Sequence, residues 1–234
     1  MWIDFHSHCL PAIDDGAADV TASLKMIDKL IAQGVDTVTF TPHFEPYQNK
    51  ISAFLVKRDA ALQKLLTAAK EQGKKLPNIL LGAEIYLEAE CSDFDLSALK
   101  ITGTNAMLLE FPYTTVKPWM INEIENIAGK FRITPIIAHV ERYYDIWRKS
   151  DYDAIFSLGN AIYQVNTDAF ANKKLREQFL KWHDDGMTFI LGSDAHDPIR
   201  RPPYFDVVEK YRKKSQYKDF FINIQEISIN LLHS

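Results

Sequence analysis

Cysteine is scarce in this 234-residue sequence, which contains only Cys9 and Cys91. The two residues form no CxxC pair and no disulfide framework, so we expect a protein of a reducing compartment, the cytoplasm. A cysteine-dependent phosphatase needs a thiolate followed six positions later by an arginine. The residues at those positions here are Asp15 and Ser97, which excludes that class.

Phosphate-binding glycine loops, an excess of basic residues and long apolar segments are also absent. The sequence contains neither GxGxxG nor GxxxxGK[ST], the phosphate-binding loops of nucleotide-dependent dehydrogenases and kinases, so it does not support either of these functions. The net charge of -4 and the pI near 6.0 argue against binding along a nucleic-acid backbone. Apolar runs such as 105–111 are far shorter than a membrane span, and the first residues lack a signal-peptide pattern. We therefore expect neither secretion nor a membrane span.

Short apolar, β-branched runs alternate with longer segments of helical periodicity. This alternation is typical of strand-helix units that build a parallel sheet. No Pro/Gly/Ser-rich linker interrupts it, so we predict one α/β domain over residues 1–234, folded as a closed or nearly closed barrel. The seven predicted strands are 2–5, 36–40, 79–84, 106–110, 133–138, 161–165 and 187–191, and the main predicted helices are 18–32, 52–72, 118–128 and 172–185.

Ionisable residues concentrate where the predicted strands end, which is where an α/β barrel places its catalytic groups. Alternate residues of an extended segment point to the same side, so His6 and His8 project together, as do Asp194 and His196. In chain order the strand ends and following loops supply His6, His8, Asp14 and Asp15, His43, Glu84, Glu110, His139 with Arg142, and Asp194 with His196.

Several carboxylates that converge in this way require a compensating charge. Two like charges about 4 Å apart repel by about 4 kcal/mol at an effective dielectric near 20. Divalent cations remove this repulsion and use neutral imidazoles as additional ligands. We therefore predict two or three metal ions, with Mn²⁺ favoured and iron or zinc as alternatives, and with Asp4 as an acceptor that fixes an imidazole tautomer.

Each of these residues also has a structural interpretation. A lone histidine at a strand end is commonly an ordinary polar residue, but five of the seven histidines lie at such ends and only His183 and His233 do not. Either Asp14 or Asp15 could instead cap a helix that begins near Ala17. Arg142 and Arg201 could be solvated cations, although both lie close enough to the histidine motifs to contact a phosphate. For the aromatic residues near strand ends we expect packing more often than pocket lining: Tyr86, Phe111, Tyr113, Tyr143 and Phe170.

One ordered set of motifs covers residues 3 to about 203. The motifs are His6-Ser7-His8, Ile13-Asp14-Asp15-Gly16, Thr41-Pro42-His43, Gly82-Ala83-Glu84-Ile85, Leu109-Glu110-Phe111, His139-Val140-Glu141-Arg142-Tyr143 and Ser193-Asp194-Ala195-His196. This set resembles the polymerase and histidinol phosphatase (PHP) superfamily, and within it the bacterial capsule-type protein-tyrosine phosphatases. The segment 88–103 and the tail after Tyr204 carry no matching motif.

The resemblance implies a distorted seven-stranded TIM-like barrel with three bound metals, usually manganese. It also implies hydrolysis of phosphotyrosine on the tail of a tyrosine autokinase that regulates capsule or exopolysaccharide synthesis. Arg142 and Arg201 correspond to the arginines that contact phosphate, and Asp15 corresponds to a ligand because it precedes Gly16. The implied metal ligands are His6, His8, Asp15, His43, Glu84, Glu110, His139, Asp194 and His196.

The mechanism we expect is direct attack on phosphorus by a hydroxide that bridges the metals, without a covalent intermediate. Asp194, a histidine or a water would handle the proton of the leaving group. Two alternatives remain. The first is another phosphoesterase of the superfamily, acting on histidinol phosphate, a small sugar phosphate or a nucleotide. The second is a non-catalytic barrel that serves as an interaction module.

Overall fold

The computed structural model describes residues 2–233 and alternates strands with helices along its length. The strands are β1 Trp2–Ser7, β2 Val35–Phe40, β3 His43–Phe44, β4 Asn78–Leu81, β5 Glu84–Tyr86, β6 Ala106–Glu110, β7 Thr134–Ile137, β8 Ile162–Asn166 and β9 Phe189–Gly192. The helices are α1 Val20–Ala32, α2 Ile51–Glu71, α3 Pro118–Phe131, α4 Lys149–Phe156, α5 Lys173–Asp184, α6 Phe205–Arg212 and α7 Lys218–Leu231.

The strands form two parallel sheets, which confirms the predicted α/β class. One sheet has the order β1-β2-β4 and the other has the order β3-β5-β6-β7-β8-β9. A parallel bridge between Ser7 and Ala195 joins the end of β1 to the segment after β9. Hydrogen bonds from His8 N to Ala195 O, 2.9 Å, and from Asp194 N to His6 O, 2.8 Å, flank that bridge. The ends of β1 and β9 are therefore adjacent.

The described residues contain nine strands where seven were predicted. The predicted strand 79–84 is interrupted, and β3 is a short strand beyond the end of the predicted strand 36–40. The chain breaks at Thr41-Pro42 between β2 and β3, and at Gly82-Ala83 between β4 and β5. Across the two breaks, Gly82 N donates to Phe40 O and Glu84 N donates to Pro42 O. Glu84 consequently begins β5, whereas the sequence predicted it at the end of a continuous strand.

An apolar layer lies beneath the functional residues. Alternate residues of a strand share a face, so on β6 the buried Leu108 precedes Glu110, and on β8 Ile162 precedes Gln164. Burial of this layer is the main stabilising contribution to such a fold. Its fully buried members include Phe5, Leu108, Ile136 and Ile190.

The helices pack their apolar faces on the outside of the sheets. α1 begins at Val20 with Asp19 as its N-cap, whose carboxylate accepts from Ala22 N at 2.8 Å. Asp14 and Asp15 therefore do not cap this helix. α3 and α5 overlap the predicted segments, while α4, α6 and α7 were not predicted. Within residues 2–233 no helix combines the length and apolarity that crossing a bilayer requires.

Gly192 at the end of β9 leaves the space that two site residues occupy. A Cβ at this position would lie 2.6 Å from both Gln164 Nε2 and His6 Cβ. We therefore expect Gly192→Ala to lower the free energy of unfolding by about 1–3 kcal/mol through overpacking. The matched variant is Gly129→Ala in α3, where a Cβ meets nothing within 4 Å, and it should stabilise the protein by about 0.5–1 kcal/mol. Urea denaturation of both variants measures these changes, and equal stability of the two would contradict the packing argument.

Candidate active site

His6 and His8 lie at the end of β1 with their Nε2 atoms directed at one point. The two Nε2 atoms are 3.1 Å apart, and each is 3.2 Å from Glu84 Oε2. Asp194 Oδ1 lies 3.7 Å from both. All four side chains are almost fully buried. Two imidazoles and two carboxylates thus meet in a space too small for additional protein atoms.

Glu84 lies at the centre of the cluster. Its Oε2 is 3.0 Å from His43 Nδ1, and its Oε1 is 2.9 Å from His139 Nε2. Although Oε2 lies close to three imidazole nitrogens, it meets none of them with hydrogen-bond geometry, and it is buried. A buried anionic oxygen in this state has no aligned hydrogen-bond donor, although burial of a charge normally requires one.

Asp15, His43 and His196 form the outer side of the cluster together with His8. Asp15 Oδ1 lies 3.3 Å from His43 Nε2 and 3.4 Å from His196 Nε2. The rings of His8 and His196 are stacked with centroids 3.9 Å apart. The side chain of Asp15 is 69% exposed, so this edge of the site opens to solvent.

Glu110 and His139 close the opposite side. Glu110 ends β6, and its Oε1 lies 3.4 Å from His139 Nε2. His139 follows β7 with a φ of 30°, a left-handed conformation that is costly for a residue with a Cβ. Asp194 has the same feature, with a φ of 49°. The backbone is therefore strained at two positions that direct side chains into the cluster.

The pKa values show how strongly the carboxylates attract positive charge. Burial opposes protonation of His8, yet the hydrogen bond with Asp14 and the nearby charge of Glu84 outweigh it and raise the pKa of the imidazole to about 10. For His139, burial is likewise outweighed by Glu110 and Glu84, and the pKa rises to about 9. Burial and the adjacent His8 lower the pKa of His196 to about 4. Without metal, protons supply the charge that the carboxylates require.

All nine sequence-predicted ligands come together in this cluster. They form four overlapping groups in which the potential donor atoms lie within 4.8 Å of one another. In the part of the chain that the structure describes, no other residue belongs to such a group. The groups are His8-Asp15-His43-His196, His6-His8-Asp194, His6-Glu84-His139 and His43-Glu84-Glu110.

The donor set fits divalent cations. It combines imidazole nitrogens with carboxylate oxygens and includes no thiolate, as manganese, iron and zinc sites do. Three imidazoles present Nε2 to the cluster while a second partner holds Nδ1, an arrangement typical of metal-binding histidines. These partners are Gln164 Oε1 for His6 at 2.9 Å, Asp14 Oδ2 for His8 at 2.8 Å and Asp194 O for His196 at 2.9 Å.

Arg142 and Arg201 both contact the cluster through Asp194. Arg142 Nη2 lies 2.5 Å and Arg201 Nη2 lies 2.8 Å from Asp194 Oδ2. Both guanidinium groups are partly exposed, so an incoming anion can reach them. Asp194 therefore presents one oxygen to the imidazoles and the other to the arginines.

Two details differ from the sequence-based expectations. Asp4 forms no hydrogen bond with an imidazole, although it lies two residues before His6 on β1. Its carboxylate accepts instead from Ser193 N and Ser193 Oγ, at 2.7 and 2.6 Å. The residues alone left open whether Asp14 or Asp15 is the ligand candidate. Asp15 faces the cluster, as the resemblance implied, whereas Asp14 holds Nδ1 of His8.

Burial makes both cysteines poor nucleophiles, in agreement with their exclusion above. It raises the pKa of the Cys9 thiol far above its usual range and that of Cys91 to about 12. Among the aromatic residues, Phe111, Tyr143 and Phe170 are packed in the core, and Tyr113 is exposed. Tyr86 lines an open cleft of about 690 Å³ beside the cluster, together with His43, Glu45 and Glu110.

Gln164 and Asn166 on β8 were missed by the sequence analysis. Gln164 Oε1 lies 2.9 Å from His6 Nδ1, and Asn166 Nδ2 donates to Asp194 Oδ2 at 2.9 Å. The available signal was two amide residues at alternate positions of an otherwise apolar strand, since buried amides require partners. Neither side chain is ionisable, so the pattern of ionisable residues at strand ends does not include them.

Several known proteins are similar to this chain in sequence. Tyrosine-protein phosphatase YwqE of Bacillus subtilis (strain 168) is 31% identical over 205 residues, which cover 83% of this chain and 77% of YwqE. Tyrosine-protein phosphatase CpsB of Streptococcus pneumoniae is 28% identical over 243 residues, covering 94% and 95% of the two chains.

A solved structure agrees with these relatives. A chain from the crystal structures of YwqE from Bacillus subtilis and CpsB from Streptococcus pneumoniae, described as unique metal-dependent tyrosine phosphatases, matches with a TM-score of 0.79. It is 26% identical, and the match covers 98% of this chain and 94% of that one. The family model for capsular polysaccharide synthesis, CpsB/CapC, matches residues 2–228. The resemblance to capsule-type phosphatases is thereby confirmed, and the chain belongs to the CpsB/CapC family.

Proposed function

We propose that this protein is a metal-dependent protein-tyrosine phosphatase. One observation carries the proposal: nine imidazole and carboxylate side chains from distant parts of the chain converge around Glu84, next to two arginines. The relatives named tyrosine-protein phosphatases support the same activity. The whole chain, 1–234, acts as one catalytic domain in this proposal.

The residues proposed to hold two or three divalent cations, preferentially Mn²⁺, are the nine of the cluster. Bound cations would neutralise the phosphate charge and make water acidic enough to attack phosphorus at neutral pH. Glu84 belongs to two of the four donor groups, which suits a bridging carboxylate. The proposed ligands are His6, His8, Asp15, His43, Glu84, Glu110, His139, Asp194 and His196.

Arg142 and Arg201 are proposed to bind the phosphoryl oxygens of the substrate. Both guanidinium groups already meet a carboxylate oxygen, Asp194 Oδ2, and are oriented for an anion. Asp194 is the proposed catalytic carboxylate, because it lies between the imidazoles and the arginines, where as an ionised group it would hold both guanidinium groups beside the cations. A covalent intermediate is not required, since neither cysteine can supply a thiolate.

The proposed substrate is phosphotyrosine on the tail of a tyrosine autokinase that controls capsule or exopolysaccharide synthesis. The family description and the names of the relatives support this choice. The open cleft beside His43 and Glu110, with Tyr86 in its wall, can accept an aryl group attached to a peptide. Cys91 to Leu99 form two short 3-10 helices in the segment 88–103, and we propose that this segment shapes access to the cleft.

We also propose that the two sheets act as a single distorted seven-stranded barrel. If β2 with β3 and β4 with β5 are each counted as one interrupted strand, the nine strands become seven. The Ser7–Ala195 bridge and its flanking hydrogen bonds support closure between β1 and β9.

Neutralising the central carboxylate tests the proposed function. Glu84→Gln should lower kcat/KM for a phosphotyrosine peptide with Mn²⁺ by more than about 100-fold and reduce bound metal, because a bridging charge is lost. The matched control is Asp36→Asn, which should retain wild-type activity because Asp36 is an exposed carboxylate at the N-terminal end of β2. Full activity of Glu84→Gln would refute the metal mechanism. Faster turnover of histidinol phosphate than of the peptide would favour the rival phosphoesterase, and metal binding without turnover would favour the interaction module.

Metal binding should release protons. His8 and His139, with pKa values of about 10 and 9, keep their protons at pH 7 in the metal-free protein. A cation must displace them, so Mn²⁺ affinity should increase as the pH rises from about 6 to about 9. Titration calorimetry in buffers of different ionisation enthalpy counts the released protons. An affinity independent of pH over this range would show that these imidazoles are not ligands.

Removal of one arginine should weaken phosphate binding without removing metal. Arg201→Ala is expected to raise KM for the phosphopeptide about 10- to 150-fold, the equivalent of about 1.5–3 kcal/mol for a hydrogen bond to a charged group. The matched variant Arg200→Ala removes the exposed neighbouring arginine and should leave KM unchanged. Metal content is measured by atomic absorption on both variants. A wild-type KM for Arg201→Ala would exclude this arginine from the phosphate site.

A further inference from the structure

We propose that Gln164 and Asn166 form a hydrogen-bond relay on β8 that fixes the orientation of side chains in the proposed cation cluster. Gln164 fixes which nitrogen of His6 faces the cations, and Asn166 fixes the carboxylate of Asp194. The inference rests on the proposed function only in that the cluster binds cations. β8 supplies none of the nine proposed ligands. The inference gives it the role of positioning three of them, His6, His139 and Asp194.

The direction of the relay follows from groups that can play only one role. The backbone N–H of His139 can only donate, and it lies 2.8 Å from the side-chain atom of Gln164 assigned as Oε1. This contact identifies the atom as oxygen, because a nitrogen there would oppose donor to donor. The amide nitrogen of Gln164 must then point the other way, where Asn166 Oδ1 accepts at 2.8 Å.

The other end of the relay agrees independently. With Oδ1 facing Gln164, the amide nitrogen of Asn166 points at Asp194 Oδ2, 2.9 Å away. A carboxylate that is paired with two arginines can only accept, so the assignment is again unambiguous. Two unrelated groups, a backbone N–H and a carboxylate, thus impose the same orientation on both amides.

The orientation determines the tautomer of His6. Gln164 Oε1 is an acceptor, so His6 Nδ1, 2.9 Å away, must carry a proton. Nε2 is the nitrogen left to bind a cation, and it faces Glu84 and His8. Asp14 holds Nδ1 of His8 in the same manner, but with a charged group. A neutral amide provides the same orientation without adding another negative charge to the buried cluster.

The packing around the relay leaves the amide little freedom. Gln164 is fully buried, and Asn166 is 7% exposed. Gly192 on the neighbouring strand provides the space for Gln164, since a Cβ there would lie 2.6 Å from its Nε2. Asn166 is held further by its own backbone, whose N–H donates to Glu141 Oε1 at 3.1 Å. A side chain enclosed in this way can position its neighbours precisely enough to affect metal affinity.

Replacement of Gln164 separates the acceptor from the shape of the side chain. Gln164→Met keeps the length but removes the acceptor, and it should weaken Mn²⁺ binding about 10- to 100-fold, the usual effect of losing a partner of a ligating histidine. Gln164→Glu restores the acceptor for His6 but not the donor to Asn166, so it should recover part of this loss and leave the Mn²⁺ affinity below that of the wild type. The readout is the dissociation constant from titration calorimetry, which does not depend on turnover.

The matched control is Tyr163→Phe on the same strand. Tyr163 is buried, and its hydroxyl donates to Ile155 O at 2.9 Å, away from the cluster. This variant should lower the stability slightly and leave Mn²⁺ affinity unchanged. Equal losses of affinity in Tyr163→Phe and Gln164→Met would show that general damage to β8, and not the relay, is responsible.

A double-mutant cycle with Asn166→Leu tests the connection between the two amides. If the relay acts as a unit, the loss in the double variant should be clearly smaller than the product of the two single losses. Wild-type Mn²⁺ affinity in Gln164→Met, or strictly multiplicative losses, would overturn the inference. Failure of the proposed function would look different: the wild-type protein would bind Mn²⁺ with these same dependences and yet not hydrolyse phosphotyrosine.

Discussion

The rest of the structure depends on one electrostatic constraint, the concentration of carboxylates in a buried site around Glu84. Charges of like sign cannot be buried together without a compensating charge. In the metal-free protein, protons on His8 and His139 supply it, as their raised pKa values indicate. In the proposed function, the same demand would make the cluster a cation site, because a divalent ion could replace these protons and bind the freed lone pairs.

This constraint accounts for unusual backbone features at the mouth of the site. Neither break in the strands, at Thr41-Pro42 or at Gly82-Ala83, is needed by a regular parallel sheet, yet they direct His43 and Glu84 to the same point. His139 and Asp194 adopt positive φ angles for the same purpose. Such local strain persists because the surrounding sheet and its apolar layer fix these positions.

Around the cluster, a second set of contacts determines how each ligand is presented. Asp14, Gln164 and the carbonyl of Asp194 each hold the Nδ1 of a different histidine, so that Nε2 faces inward. Asp194 also joins the cluster to Arg142 and Arg201. In the proposed function, the cation site and the phosphate site would share this carboxylate, and a displacement of Asp194 would affect both.

The sequence by itself predicted the α/β class, the approximate strands and eight of the nine residues of the cluster, whereas only the family resemblance chose Asp15 over Asp14. These features are readable because strand periodicity and the position of a residue at a strand end are local properties. Tertiary structure alone decided that the strands are interrupted, that Asp4 contacts Ser193 instead of an imidazole, and that Gln164 and Asn166 support the site. Hydrogen-bond partners 158 residues apart, as for His6 and Gln164, depend on the strand register and on which strands become neighbours. Neither is encoded in any single segment of the chain.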